Sequence, residues 1–218
     1  MISEILPDVV SSAEAFGDPP DAALFPAEEA MIARAVQKRR REFATGRHCA
    51  RSALGALGIA AVPILPGQAG APQWPSGIVG SITHCAGYVA AAVARAGEVT
   101  TIGLDAEPAQ TLPDRVLGLV ARPDERDRLR DLERAAPGIS WDRLLFSAKE
   151  SVYKAWFPLA RRWLGFADAD ITINAADGTF EARLLVSAPE FSGVPMAGFT
   201  GRWVIAEGMI LTAITVLA

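Results

Sequence analysis

Two periods of hydrophobic and polar residues alternate along the 218-residue chain. After Pro26, the run AEEAMIARAVQKRRREFATGRHCARSALGALG places Met31, Ile32, Ala35, Val36 and Phe43 at intervals of three, four and seven, which predicts helix. Gly46 is expected to separate or bend two helical pieces. The following stretch, IAAVPILPGQAGAPQWPSG, is rich in proline and glycine and reads as an extended loop. Beyond it, GIVGSITH, GYVAAAVARA and VTTIGLDAE are short strand-like runs broken by Gly87 and by Ala96 and Gly97. LPDRVLGLVARPDERDRLRDLERA returns to the helical period, as two short helices broken around Pro123.

A second long helix is predicted around FSAKESVYKAW, because Leu145, Ala148, Val152, Ala155, Trp156 and Leu159 form an apolar stripe at helical spacing. Pro158 should help to end it. Asp177–Gly178 and Glu207–Gly208 then mark two hairpin turns between strand-like runs. Each half of the chain thus reads as helices flanked by antiparallel strands. The expected fold is α+β, with similar subdomains at 1–108 and 109–218, although no internal sequence repeat is evident.

Composition narrows the function classes. Half the residues are hydrophobic and 21% charged, as in a folded globular chain. A net charge of −4 and a pI near 5.3 argue against a general nucleic-acid binder, so any anion site must be local. Cys49 and Cys85 are the only cysteines, too few for a disulfide framework, and a reducing cytoplasm is the expected setting. The N-terminal stretch lacks the features of a secretory signal, and no segment is long and apolar enough to span a bilayer. No membrane partner is expected.

In TIGLDAEP, an extended backbone would point Asp105 and Glu107 to the same side, roughly 7 Å apart. They could share a hard cation such as Mg²⁺ or be two solvated acids at a strand end. Glu150 and Lys154, one turn apart, lie opposite the apolar stripe with Arg143 and Ser147 near them. Alone they read as a surface pair worth ~0.2–0.5 kcal/mol. In the basic run from Lys38 to Arg51, Arg39, Phe43 and Arg47 repeat every four residues, so two guanidiniums can flank one groove and clamp a phosphate. His84, beside Thr83, is either a satisfied turn residue or a donor to a polyphosphate. No G-x-S-x-G, Walker, G-x-G-x-x-G or H-E-x-x-H motif is present. Acids, lysine and arginines without a nucleophile suit transfer of a phosphoryl-linked group between two bound substrates.

Taken in order, RRREFATGRHCAR, GAPQWPSGIVGSITHCAGY, TIGLDAEP and WDRLLFSAKESVYKAWFPL resemble the surfactin-synthetase type of 4′-phosphopantetheinyl transferase. The subgroup is the bacterial one related to the enterobactin synthase and mycobacterial enzymes, and the resemblance runs from Arg39 to about Leu164. It implies a pseudo-two-fold α+β monomer with coenzyme A between the halves. The implied reaction moves the phosphopantetheine arm of coenzyme A to a serine of an apo acyl or peptidyl carrier protein, in peptide, polyketide or siderophore biosynthesis, and releases adenosine 3′,5′-bisphosphate.

By the same resemblance, Asp105, Glu107 and Glu150 match metal-binding acids that hold Mg²⁺, with Mn²⁺ as an alternative. Lys154 matches the lysine at the pyrophosphate, and Lys149 lies beside the site. Arg39 and Arg47 fall at arginines that grip the 3′-phosphate, and Thr83 and His84 at a segment touching the nucleotide phosphates. The loop from Pro66 to Pro72, with Gly67 and Gly70, should run along the adenosine, but it lacks lysines that some relatives carry there. Glu150 is the expected general base, with Glu107 as the alternative. Two other readings stay open: a non-catalytic coenzyme A-binding module and a Mg²⁺-dependent nucleotide pyrophosphatase.

Overall fold

A strand that the hydrophobic pattern did not announce, β1 (Ser11–Phe16), opens the architecture by pairing antiparallel with β3 (Tyr88–Arg95), which also pairs with β2 (Ile78–Cys85). The computed structural model describes residues 1–187, 190–191 and 194–218. Its second sheet has the order β4 (Val99–Pro108), β10 (Met209–Leu217), β9 (Gly198–Ala206), β6 (Thr179–Leu184) and β5 (Ala169–Asn174). A two-stranded ribbon, β7 (Glu190–Phe191) and β8 (Val194–Pro195), lies between β6 and β9 in sequence. The fold is α+β. Asp105 and Glu107 ride on β4, which pairs with β10 and so belongs to the sheet built by the second half of the chain.

The helices are α1 (Pro26–Ile32), α2 (Gln37–Ala56), α3 (Asp114–Val120), α4 (Pro123–Ala135) and α5 (Trp141–Ala160). The break before Pro123 falls where expected. Gly46 does not divide a helix: α2 runs through it unbroken, and the separation from α1 comes at residues 33–36 instead. A Cβ at Gly46 would sit 3.2 Å from Ile82 Cγ2, so the glycine lets α2 approach β2 closely. Met31 and Val36, placed by spacing on the apolar face, are exposed, whereas Ile32 and Phe43 are buried. Pro158 lies in the last turn of α5, which ends at Arg161 in the left-handed region.

Both α1 and α4 start with proline and are capped by a buried glutamate at their third position. Glu28 accepts from Phe25 N and Glu125 from Arg122 N, at 2.9 and 2.8 Å. Each glutamate also takes a cation from the next long helix, Arg51 at 3.0 Å and Lys149 at 2.8 Å. Each further accepts a backbone N–H, from Ile64 and from Ile171, both at 2.8 Å. The two halves thus solve one packing problem with the same device, which sequence identity between them does not reveal.

Among the described residues, three hydrophobic clusters fill the interior. One joins α2 to β3 through Ala50, Leu54 and Val93, and another joins α4 and α5 to the five-stranded sheet through Leu144, Trp156 and Phe180. A third gathers Ile2, Tyr88, Leu104 and Leu211 from both sheets, each side chain contributing about 1.5–3 kcal/mol through burial. This shared core holds the two sheets at a fixed seam. There β2 runs beside β4, and Ser81 Oγ accepts the Leu104 N–H at 3.1 Å.

Candidate active site

The seam between β2 and β4 is covered by α5, and one glycine sets how closely. A Cβ at Gly103 would lie 2.0 Å from the Ser151 carbonyl oxygen and 2.8 Å from Ala155 N, so the helix backbone rests directly on β4. Thr101 Oγ1 donates to the Ala155 carbonyl at 2.8 Å and fixes the same contact. This approach brings the side chains of α5 within reach of those on β4. Lys154 Nζ donates to Asp105 Oδ1 at 2.7 Å and lies 3.4 Å from Thr83 Oγ1 on β2. Three elements therefore meet at one ammonium.

The Glu150–Lys154 surface pair does not form; Lys154 turns to Asp105 instead. Glu150 has no ion-pair partner among the described residues. Burial, followed by the charges of Asp105 and Glu107, pushes its carboxyl above the usual range, while Lys154 opposes them. Glu107 is raised too, by burial and then by Asp105, against the pull of Arg143. Asp105 Oδ2 is buried with no hydrogen-bond partner. An acceptor in that position costs about 1–3 kcal/mol unless something satisfies it.

Among the described residues, no three His, Cys, Asp or Glu side chains stand close enough to hold an ion together. Even so, the orphaned Asp105 oxygen and the mutual repulsion of the three acids make a donor set that a hard cation would satisfy. Glu107 keeps one oxygen on Arg143 Nη1 at 2.8 Å. Ser147, beside these groups on α5, is buried and hydrogen-bonded to Thr212 Oγ1 at 2.9 Å.

Lys149 departs from the expectation. Its ammonium is buried, paired with Glu125 and donating to the Phe166 and Ala169 carbonyls at 2.6 and 3.0 Å. It ties α5 to α4 and to the start of β5 rather than offering a charge to a ligand. It also lines a cavity of about 120 Å³ with Glu150, Tyr153 and Trp163. Lys149 follows Leu145 by four residues and precedes Val152 by three, so the helical period already put it on the buried face.

The arginines occupy a second patch beside the seam. Arg47 stacks on the Phe43 ring, 3.6 Å from its centroid, and donates Nε–H to the Ile64 carbonyl at 3.0 Å. Burial pulls its guanidinium down to about 10, still charged at neutral pH. Arg39 Nη1 lies 3.0 Å from His84 Nε2. Because a guanidinium only donates, Nε2 is the acceptor and the neutral ring carries its proton on Nδ1. Burial, with Arg39 and Lys154 nearby, holds His84 below its ordinary value against the pull of Glu42.

A cavity of about 660 Å³ opens between the loop at residues 67–74 and α5, and Glu150 and Lys154 line it. Gly67 and Gly70 are on its wall. Trp74 Nε1 donates to the Gly80 carbonyl at 3.0 Å and pins the loop onto β2. Gly70 has φ +78°, which glycine adopts without strain. Residues 27–94 match the 4′-phosphopantetheinyl transferase N-terminal domain, and residues 101–205 match the 4′-phosphopantetheinyl transferase superfamily. The chain belongs to this family.

Full-length relatives agree. The 4′-phosphopantetheinyl transferase Svp of Streptomyces mobaraensis is 52% identical, over 100% of this chain and 90% of its own length. The corresponding figures for Npt of Nocardia iowensis are 51%, 98% and 99%. PptT of Mycobacterium tuberculosis is 47% identical, over 98% of this chain and 97% of its own length. As a 4′-phosphopantetheinyl transferase the chain is an enzyme. Among the described residues, no helix is long and apolar enough to cross a membrane.

Proposed function

We propose that the protein transfers the 4′-phosphopantetheine arm of coenzyme A to a serine hydroxyl of an apo acyl or peptidyl carrier protein in a Mg²⁺-dependent reaction. The observation that carries this reading is the Lys154–Asp105 pair beside Glu150 on the wall of the cleft, with one Asp105 oxygen left unsatisfied. Three carboxylates and a pyrophosphate repel one another, so a phosphoryl-transfer site of this composition calls for a cation.

Asp105, Glu107 and Glu150 would hold Mg²⁺, or Mn²⁺ in its place, which when bound supplies positive charge against the pyrophosphate. The protein's own groups do the rest. Arg47 and Arg39 bind the 3′-phosphate as charge-assisted donors. Thr83 and His84 face the nucleotide phosphates from the end of β2, and an approaching phosphate draws a proton onto His84. The loop carrying Gly67 and Gly70 lies along the adenosine.

In the transfer, the carrier serine Oγ forms a bond to the pantetheine-side phosphorus, and the bond from that phosphorus to the bridging oxygen breaks. Adenosine 3′,5′-bisphosphate leaves with the electron pair. The serine proton goes to Glu150, the one of the three acids that no Lys or Arg among the described residues engages. Lys154 exchanges Asp105 for the leaving phosphate and neutralises the charge that develops there. The testing experiment incubates the protein with Mg²⁺, coenzyme A and an apo carrier protein and weighs the carrier. Coenzyme A consumed without any carrier would instead indicate a pyrophosphatase.

A further inference from the structure

Arg143, in the first turn of α5, makes contacts that the proposed chemistry leaves unused. Its guanidinium donates through all three nitrogens: Nη1 to Glu107 Oε2 at 2.8 Å, Nε to the Gln110 carbonyl at 2.9 Å and Nη2 to the Thr111 carbonyl at 3.3 Å. The adjacent Asp142 accepts the Leu112 N–H at 2.7 Å, so two neighbouring residues of α5 buckle down the chain that leaves β4. Both members of the ion pair are mostly buried, with side-chain exposures of 18% and 20%.

The planar fork of arginine fixes direction as well as charge. With Oε2 held by Nη1 and the guanidinium held by two backbone carbonyls, the Glu107 carboxylate keeps little rotational freedom. Its other oxygen, Oε1, accepts no hydrogen bond from the described residues. An exposed counter-ion would not need two backbone acceptors to aim it. This arrangement aims a carboxylate.

We propose that Arg143, itself held by the carbonyls of Gln110 and Thr111, is a positioning residue that orients Glu107 toward the divalent cation. This rests on the functional reading above. Positioning and simple charge balance predict opposite effects on the metal. If Arg143 only balanced charge, removing it would relieve repulsion and tighten cation binding. As an orienting group, its loss frees Glu107 and weakens cation binding by about 10–100-fold, the usual cost of losing a partner behind a metal ligand.

The test titrates Mn²⁺ by electron paramagnetic resonance into the protein with coenzyme A, for wild type, Arg143→Ala and Arg143→Lys. Transfer kinetics are measured in parallel. Expected are a Mn²⁺ dissociation constant about 10-fold or more higher in Arg143→Ala, partial recovery in Arg143→Lys and an unchanged coenzyme A KM at saturating Mg²⁺. Unchanged or tighter Mn²⁺ binding in Arg143→Ala overturns the proposal. Should Arg143→Ala not fold, Arg143→Lys decides: wild-type Mn²⁺ affinity there overturns it, and a several-fold loss supports it. A wild type that binds Mn²⁺ with coenzyme A but transfers nothing defeats the functional reading separately. A wild type that binds no Mn²⁺ overturns both.

Discussion

Lys154 Nζ sits 2.7 Å from Asp105 Oδ1, on a neighbouring strand, although Glu150 precedes it by one turn on its own helix. A lysine that ignores its i,i+4 glutamate and crosses to another element is held by tertiary packing. The same contact leaves the second Asp105 oxygen unsatisfied. Lys154 thus stands, in the free protein, between β4 and the cleft that it lines.

Lys154→Ala should lower kcat by about 10²–10³ while the protein remains folded, because it removes charge stabilisation of the leaving phosphate. Lys154→Arg should restore little, since a planar fork does not replace a compact ammonium in this space. Steady-state transfer kinetics with circular dichroism as the folding check would measure both. Near wild-type kcat in Lys154→Ala would remove Lys154 from the reaction.

Glu150→Gln should separate stability from activity. A carboxyl raised in the folded state binds its proton more tightly there than in the unfolded chain. Its ionised form therefore costs stability at neutral pH, and that cost fades as pH falls through the raised value toward the ordinary glutamate range. Without divalent cations, Glu150→Gln should melt above wild type at neutral pH, with the gap closing on acidification. Transfer should fall by about 10²–10⁴ through loss of the base. Thermal melts across pH would show the trend, and a variant that melts below wild type at neutral pH would contradict it.

Gly103→Ala should damage the site without touching a polar group. Its Cβ would collide with the Ser151 carbonyl, so α5 must lift from β4 and carry Glu150 and Lys154 with it. Overpacking of this kind costs about 1–3 kcal/mol. The expected signature is a lower Tm together with a fall in kcat larger than any change in coenzyme A KM.

The helices were legible because their apolar period is strong and because prolines mark the starts of α1 and α4. β1 was not, since SSAEAF offers little strand preference and becomes a strand only by pairing with β3. At the site, Asp105 and Glu107 could be picked out by spacing and family resemblance, but spacing could not say which cation each acid meets. Asp105 takes Lys154 from α5, whereas Glu107 takes Arg143 from the same helix eleven residues earlier. The Glu125 partner of Lys149 lay hidden for the same reason: two helices had to pack before the pair existed. The helical period did put Arg143 near Glu150 and Lys154, but not on Glu107, which it meets only once α5 packs beside β4.

Arg47→Ala should weaken coenzyme A binding by about 1.5–3 kcal/mol, the range for a hydrogen bond to a charged group. That corresponds to about 10–100-fold. Binding of 3′-dephospho-coenzyme A should change far less, because Arg47 is assigned to the 3′-phosphate. Calorimetric titration of both ligands would check this, and equal losses for the two would move Arg47 away from that phosphate.

The most direct measurement is the mass of an apo carrier protein after incubation with this protein, Mg²⁺ and coenzyme A. The account predicts a gain of one phosphopantetheine arm on the carrier serine, abolished by a chelator and by Asp105→Ala. No gain across acyl and peptidyl carriers from fatty-acid, polyketide and peptide pathways, or a gain that survives loss of Asp105, would contradict it.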